Sequence, residues 1–166
     1  MRVRSSLIYY CISIVILCLP KLSTANSLES EVQSDTRCTV CGMFVAKYPA
    51  WISKIAHKNG DHEYFDGVKD MLVYYFDPLK FGSTKENPVT KMIVKDYYSL
   101  EAIDAKTAFY VLGSDVYGPM GHEFIPFSSL EAAEAFKKDH HGQEIVTFGE
   151  ITSKRVESMR SGHTMK

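Results

Sequence analysis

The sequence predicts an α+β fold of two side-by-side β-β-α-β units, with helices packed on a mostly antiparallel sheet. Three observations carry this. Strand-like stretches double back through glycine turns, first at Asn59-Gly60-Asp61 and again through the loop of Gly113, Gly118 and Gly121. Each hairpin is followed by a helix-period stretch and then by another apolar strand. Phe65-Asp66 and Phe127-Ser128 then occupy equivalent strand-to-helix corners.

The elements follow in order. Residues 1–25 read as a secretory signal peptide: Arg2 and Arg4, an apolar run from Leu7 to Leu19, then Ser23-Thr24-Ala25 at a cleavage site. The run is short for a membrane span, and the alternative to cleavage is an uncleaved membrane anchor. A lipid-modified Cys18 is disfavoured by bulky Leu17 before it. Residues 26–36 are polar and lack periodicity, so they are expected to form a flexible tether. The domain proper is expected over 37–160, with unit one at about 37–97, unit two at about 98–152 and a frayed tail at 161–166.

In unit one, residues 50–57 read as a covered strand and 62–65 as its return. Asp66 is placed to cap a helix whose core stripe is Val68, Met71, Leu72, Tyr75 and Phe76. Asp77-Pro78 ends it, and a strand runs through 91–95. In unit two, 107–112 and 122–127 read as strands. Ser128 with Glu131 has capping-box spacing for a helix burying Ala132, Ala133 and Phe136. His140-His141-Gly142 ends that helix, with Gly142 suited to a left-handed cap. A strand at 145–148 and a helix reaching Met159 complete the pattern.

The chain has 166 residues and 45% hydrophobic content, enough for one packed domain or two small halves sharing a core. Cleavage after Ala25 would remove three cations and no acid, taking the formal charge from −1 to −4. That argues against a nucleic-acid partner, whose binding is dominated by basic contacts to phosphate. Cleavage would also remove Cys11 and Cys18, leaving one C-x-x-C pair in an exported protein. Such a pair can form a disulfide, hold a metal or do redox chemistry.

That pair lies in Cys38-Thr39-Val40-Cys41-Gly42-Met43. Thiolate and thioether are soft donors and together favour Cu(I). Gly42 lets the backbone turn tightly, drawing Cys41 and Met43 toward one point. Met120, between Gly118-Pro119 and Gly121, is the candidate third ligand, with His122 beside it to substitute or supplement. Cys38 either ligates or pairs with Cys41. Asp66, Asp70 and Glu63 make no convincing catalytic carboxylate set, and the remaining histidines have weaker claims. Zinc wants four closed ligands, and no second C-x-x-C supplies them. A thiol-disulfide oxidoreductase is the alternative, although its dithiol usually opens a helix. No Gly-rich phosphate loop or nucleophile elbow is present.

Cys38-x-x-Cys41-Gly42-Met43-Phe44-Val45, Tyr48-Pro49-x-Trp51 and Phe65-Asp66-Gly67-x-Lys69-Asp70-Met71 resemble the nitrous-oxide reductase accessory family NosL. Tyr110-Val111-x-Gly113-Ser114, Gly118-Pro119-Met120-Gly121 and His141-Gly142-x-Glu144 agree. The resemblance implies a periplasmic Cu(I) chaperone supplying the copper sites of nitrous-oxide reductase, working with an ABC-type maturation complex. It implies a two-unit fold similar to part of organomercurial lyase, and Cys41, Met43 and Met120 as ligands. Lyase chemistry itself would need further cysteines. Many family members are lipoproteins, whereas this chain lacks a good lipobox, so membrane association would run through an uncleaved signal or a partner complex.

Overall fold

The structure, a computed structural model, describes residues 28–84 and 87–162. The expected signal peptide, the first residues of the tether and the end of the tail lie outside the described residues.

The chain runs through β1 (Ser53–His57), β2 (His62–Phe65), α1 (Val68–Phe76), β3 (Val89–Lys95) and β4 (Ala102–Asp104). It continues through β5 (Phe109–Leu112), β6 (Ile125–Phe127), α2 (Leu130–Asp139), β7 (Glu144–Thr147) and α3 (Ser153–Arg160). One sheet has the order β2-β1-β3-β4 and the other β6-β5-β7. Every pairing is antiparallel. The expected α+β plan is therefore present twice. In each sheet the first strand is central, flanked by its hairpin partner and by the strand after the helix. β4 was not foreseen. It joins the first sheet beside β3, with Ile93 opposite Asp104.

Local chemistry explains the hairpins and the layers. Gly60 has φ +92, and His57 N–H donates to the Asp61 carbonyl at 2.9 Å, closing the β1–β2 turn. Alternation along β5 sends Tyr110 and Leu112 into the main core with Phe65, Met71 and Met92. Val111, between them, faces a smaller core with Ile125, Phe127, Ala133 and Phe136. The second sheet thus carries α2 on one face and the rest of the molecule on the other.

Several expectations need correction. Residues 28–36 do not form a free tether. Leu28 is buried, Glu29 pairs with Lys95 and Glu31 with Lys54. Both lysines are themselves buried and so require an anionic partner. Trp51 lies in a 3₁₀ turn, and the strand begins at Ser53. The last turn of α1 buries Tyr74 instead of Phe76, because the Tyr74 hydroxyl finds His57 Nε2 at 3.1 Å. Ser129, not Ser128, caps α2: its Oγ accepts from Ala132 N–H, while Ser128 N–H donates to Asp96. His141 takes the left-handed position at φ +54. Gly142 is required for a different reason, since a Cβ there would strike Val111 and the Lys137 backbone.

Candidate metal centre

The cysteine loop closes on itself. Cys38 N–H donates to the Met43 carbonyl at 2.8 Å and Gly42 N–H to the Cys38 carbonyl at 2.9 Å. Gly42 sits at φ +76, a conformation that a Cβ disfavours. Thr39 then ties the loop to β2, through its N–H to the Tyr64 carbonyl and its hydroxyl to Glu63 at 2.5 Å. This lays the loop over the corner between β2 and α1.

Two carboxylates meet the thiols there. Cys41 Sγ donates to Asp66 Oδ1 at 3.3 Å, and Cys38 Sγ to Asp70 Oδ2 at 3.5 Å. One donor atom from each of Cys38, Cys41, Asp66 and Asp70 lies within 4.8 Å of the others. Cys38, Asp66 and Asp70 are buried, Cys41 is half-buried, and both cysteines are free thiols. Burial pushes the Cys38 thiol up to about 12, with the Asp66 charge adding to the effect. Burial also raises the Cys41 thiol, and the neighbouring Asp70 and Cys38 act in the same direction. Both sulfurs are therefore protonated donors to carboxylates at neutral pH.

Asp66 is not the helix cap that the sequence implied. Gly67 occupies the N-cap position with no side-chain bond, and Asp66 turns to Cys41 instead. Its Oδ2 is buried without a hydrogen-bond partner, alone in this among the described residues. Sequence reasoning set Asp66 and Asp70 aside. Their signal was the i, i+4 spacing at a helix start, which places both on one face.

The other candidates approach the same corner from different sides. Met43 is half-buried within the cysteine loop. Met120 and His122 flank Gly121 in a turn closed by reciprocal bonds between Gly118 and Gly121 at 2.8 and 3.1 Å. Met120 is 47% exposed. Lys69, adjacent to Asp70 in α1, donates from Nζ to the carbonyls of Met120 at 2.7 Å and His122 at 2.8 Å. That fastens the second unit's turn to the helix end that carries the acids. His122 rests against the Tyr117 ring at 4.8 Å and is not one of the four clustered donors.

Glu123 completes the fastening. It is fully buried, and its Oε1 accepts from the N–H groups of Lys69 at 2.5 Å and Phe124 at 2.9 Å. Burial pushes its carboxyl up to about 8, against the opposing pull of those amides and the Lys69 ammonium. A Cβ on Gly67 would collide with this carboxylate, so the corner needs glycine for close approach. His57 and His140 are accounted for by other contacts, with Tyr74 and Asn87 and with Asp115 respectively.

Residues 29–156 match the NosL family. The chain belongs to that family. The copper-binding lipoprotein NosL of Stutzerimonas stutzeri is 27% identical over 138 residues, 81% of this chain and 72% of that protein. The crystal structure of the copper chaperone NosL from Shewanella denitrificans is similar at TM-score 0.63 and 25% identity, covering 82% of this chain and 99% of that one. The solution structure of the apo-NosL protein from Achromobacter cycloclastes is 28% identical, with TM-score 0.46, over 63% of this chain and 87% of that one. Against this NosL background, Cys41 and Met43 share one closed loop, while Met120 stands on the facing turn.

Proposed function

We propose that this chain is an exported Cu(I) carrier. In this reading Cys41 and Met43 hold the ion, Cys38 supports them, and Met120 completes the site from the second unit. The observation that carries it is a pair of free thiols in one tight loop with a thioether, in a chain of the NosL family. Cys41 is the more exposed thiol, as an ion that must be handed on requires. Met120 is neutral, exposed and on a loop, so it is the ligand most easily exchanged when a partner docks. The client is the copper centres of nitrous-oxide reductase, reached in the periplasm through an ABC-type maturation complex.

The oxidoreductase alternative is weaker. Attack on a disulfide needs a thiolate, and both thiols here are shifted away from ionisation. The pair also lies in a loop and does not open a helix. Anaerobic competition with a Cu(I) chelator tests the reading. The reduced protein should retain about one equivalent of copper. Cys41→Ser should abolish tight binding and Cys38→Ser should weaken it in part. Chelator removing copper from wild type as easily as from Cys41→Ser would overturn the assignment.

A further inference from the structure

We propose that the groove between α1 and α3 docks an amphipathic helix of a partner protein, apolar on its buried face and acidic along its edges. The groove opens at the C-terminal end of α1, where Phe76 and Asp77 line it. The cysteine loop meets Asp66 and Asp70 at the other end of that helix. The helix has 9 residues and is roughly 13 Å long, so the groove is a separate surface and is independent of the copper reading.

Its floor is Val73, Phe76, Phe81 and Val156, and its volume is about 320 Å³. A second hollow of about 360 Å³ adjoins it at Phe76 and Asp77 and runs past Leu79 and Pro88. Phe76 is 38% exposed and Leu79 is 52% exposed, although both are large and apolar. Periodicity placed Phe76 on the core stripe of α1, but Tyr74 takes the core position. Phe76 is left between the two hollows, open to solvent. An apolar groove between two helices receives a third through side chains at i, i+3, i+4 and i+7.

Charge selects the occupant. Lys80, Lys154 and Arg160 stand on the rim with Asp77 and Glu157. Among the described residues, none of these side chains has an ion-pair partner. Lys80 Nζ lies 5.9 Å from the centre of the Phe81 ring, at the edge of the apolar floor. The groove is thus net positive on a chain whose formal charge is −1. That favours carboxylates along the incoming edges. The rim acids argue against a layer of anionic lipid headgroups, which would meet Asp77 and Glu157 with like charge. A polypeptide can set a cation beside each acid while remaining acidic elsewhere. A second copy of this chain would bring the same positive rim to a two-fold contact. A partner helix seated here leaves the cysteine loop and the Met120 turn uncovered, because Lys69 fastens that turn near the start of α1.

The probes are a pair of synthetic helical peptides with the same leucine stripe, one carrying glutamates and the other lysines along both edges. Fluorescence anisotropy follows their binding to the purified, reduced protein, and amide chemical shifts locate it. The glutamate peptide should bind about tenfold or more tightly than the lysine peptide. Its shifts should be confined to the end of α1, the turn Pro78–Phe81 and α3. Phe76→Ser and Leu79→Ser, both at exposed positions, should each weaken binding by about tenfold with the fold retained. Lys154→Glu combined with Arg160→Glu should reverse the preference between the peptides, and this pair decides if Phe76→Ser does not fold. Cu(I) retention against a chelator should be the same in every variant. Equal binding of the two peptides would overturn the proposal, as would a charge-reversed variant that keeps the wild-type preference. Phe76-dependent binding to phosphatidylglycerol vesicles in place of the glutamate peptide would assign the groove to a lipid surface and overturn it too. So would a dimer of the protein that Phe76→Ser dissociates, which would give the groove to a second copy. Loss of Cu(I) binding alone would sink the copper reading and leave this one intact.

Discussion

The two units share a strand order but handle their strand-to-helix corners differently. In the second, Ser129 caps α2 in the ordinary way, its Oγ accepting from Ala132 N–H at 3.2 Å. In the first, Gly67 offers no cap. The amide that a cap would satisfy, Lys69 N–H, goes to Glu123 of the other unit. Asp66 and Asp70, the acids placed to serve that helix end, face the thiols. One corner is thus locally self-sufficient, and the other is completed from a distance. Borrowing its cap from unit two frees two carboxylates for the cysteine loop and brings the Met120 turn to the same helix end.

Removing the borrowed cap should break this arrangement most severely. Glu123→Ala leaves two buried amides unpaired and opens a cavity, at an expected cost of about 4 kcal/mol. Denaturant unfolding measures it. A loss no greater than that of Ser129→Ala would show that the two corners are capped alike.

A pH series sharpens the same point. The Glu123 carboxyl is raised from 4.5 to about 8 in the fold, so the native state holds a proton that the unfolded chain has lost. Its contribution is fully present below about pH 4.5 and disappears as pH rises through 8. Stability should fall across that window by about 1.4 kcal/mol for each pH unit. Glu123→Gln, which cannot ionise, should flatten the slope. An equal slope in wild type and variant would assign the effect to other groups.

The next effect concerns binding and not folding. Met120→Ala should lower Cu(I) affinity about tenfold with little change in stability, because the side chain is largely exposed. Lys69→Met should reproduce part of that loss by releasing the Met120 and His122 carbonyls. If Lys69 acts by positioning the turn, the double variant should bind no worse than Met120→Ala alone. Additive losses would mean that Lys69 acts elsewhere. Unchanged binding in Met120→Ala with loss in His122→Ala would make the imidazole the third ligand.

The two corners also show what the sequence could reveal. Turns and periodicity are local, so the hairpins, both main helices and the repeated order were legible from Gly60, Pro78 and the apolar stripes. The Cys41–Met43 turn was legible too, since its glycine and both sulfur donors sit within a few residues. The acids were not. Asp66 meets Cys41 across 25 residues and Asp70 meets Cys38 across 32. Glu123 reaches Lys69 across 54. An aspartate before a helix fits the cap pattern, and only the tertiary fold shows that the cap comes from elsewhere. The docking of residues 28–36 was hidden for the same reason. Glu29 and Glu31 look like solvated acids until Lys95 and Lys54 are seen to be buried beneath them.

The smallest effect tests the self-sufficient corner. Ser128 and Ser129 are adjacent, and sequence spacing favoured Ser128 because Glu131 follows it by three residues. The structure gives the cap to Ser129, whose Oγ faces Ala132 N–H, and turns Ser128 to Asp96, with the Ser128 N–H reaching Asp96 Oδ2 at 2.7 Å. A side-chain truncation distinguishes the two roles. Ser129→Ala removes the acceptor and should cost about 1 kcal/mol. Ser128→Ala keeps the N–H that Asp96 needs, and its side chain is exposed, so the change should stay within about 0.5 kcal/mol. Asp96 provides the control. Against the opposing effect of burial, the backbone amides and hydroxyls of Ser99 and Ser128 hold its carboxyl below the usual range, so stability drawn from it should be lost as pH falls into the acid range, less steeply in Ser128→Ala, which keeps the amide and loses the hydroxyl. A larger loss in Ser128→Ala than in Ser129→Ala would return the cap to Ser128. The contrast with Gly67 would then rest on a capping box and not on a single serine.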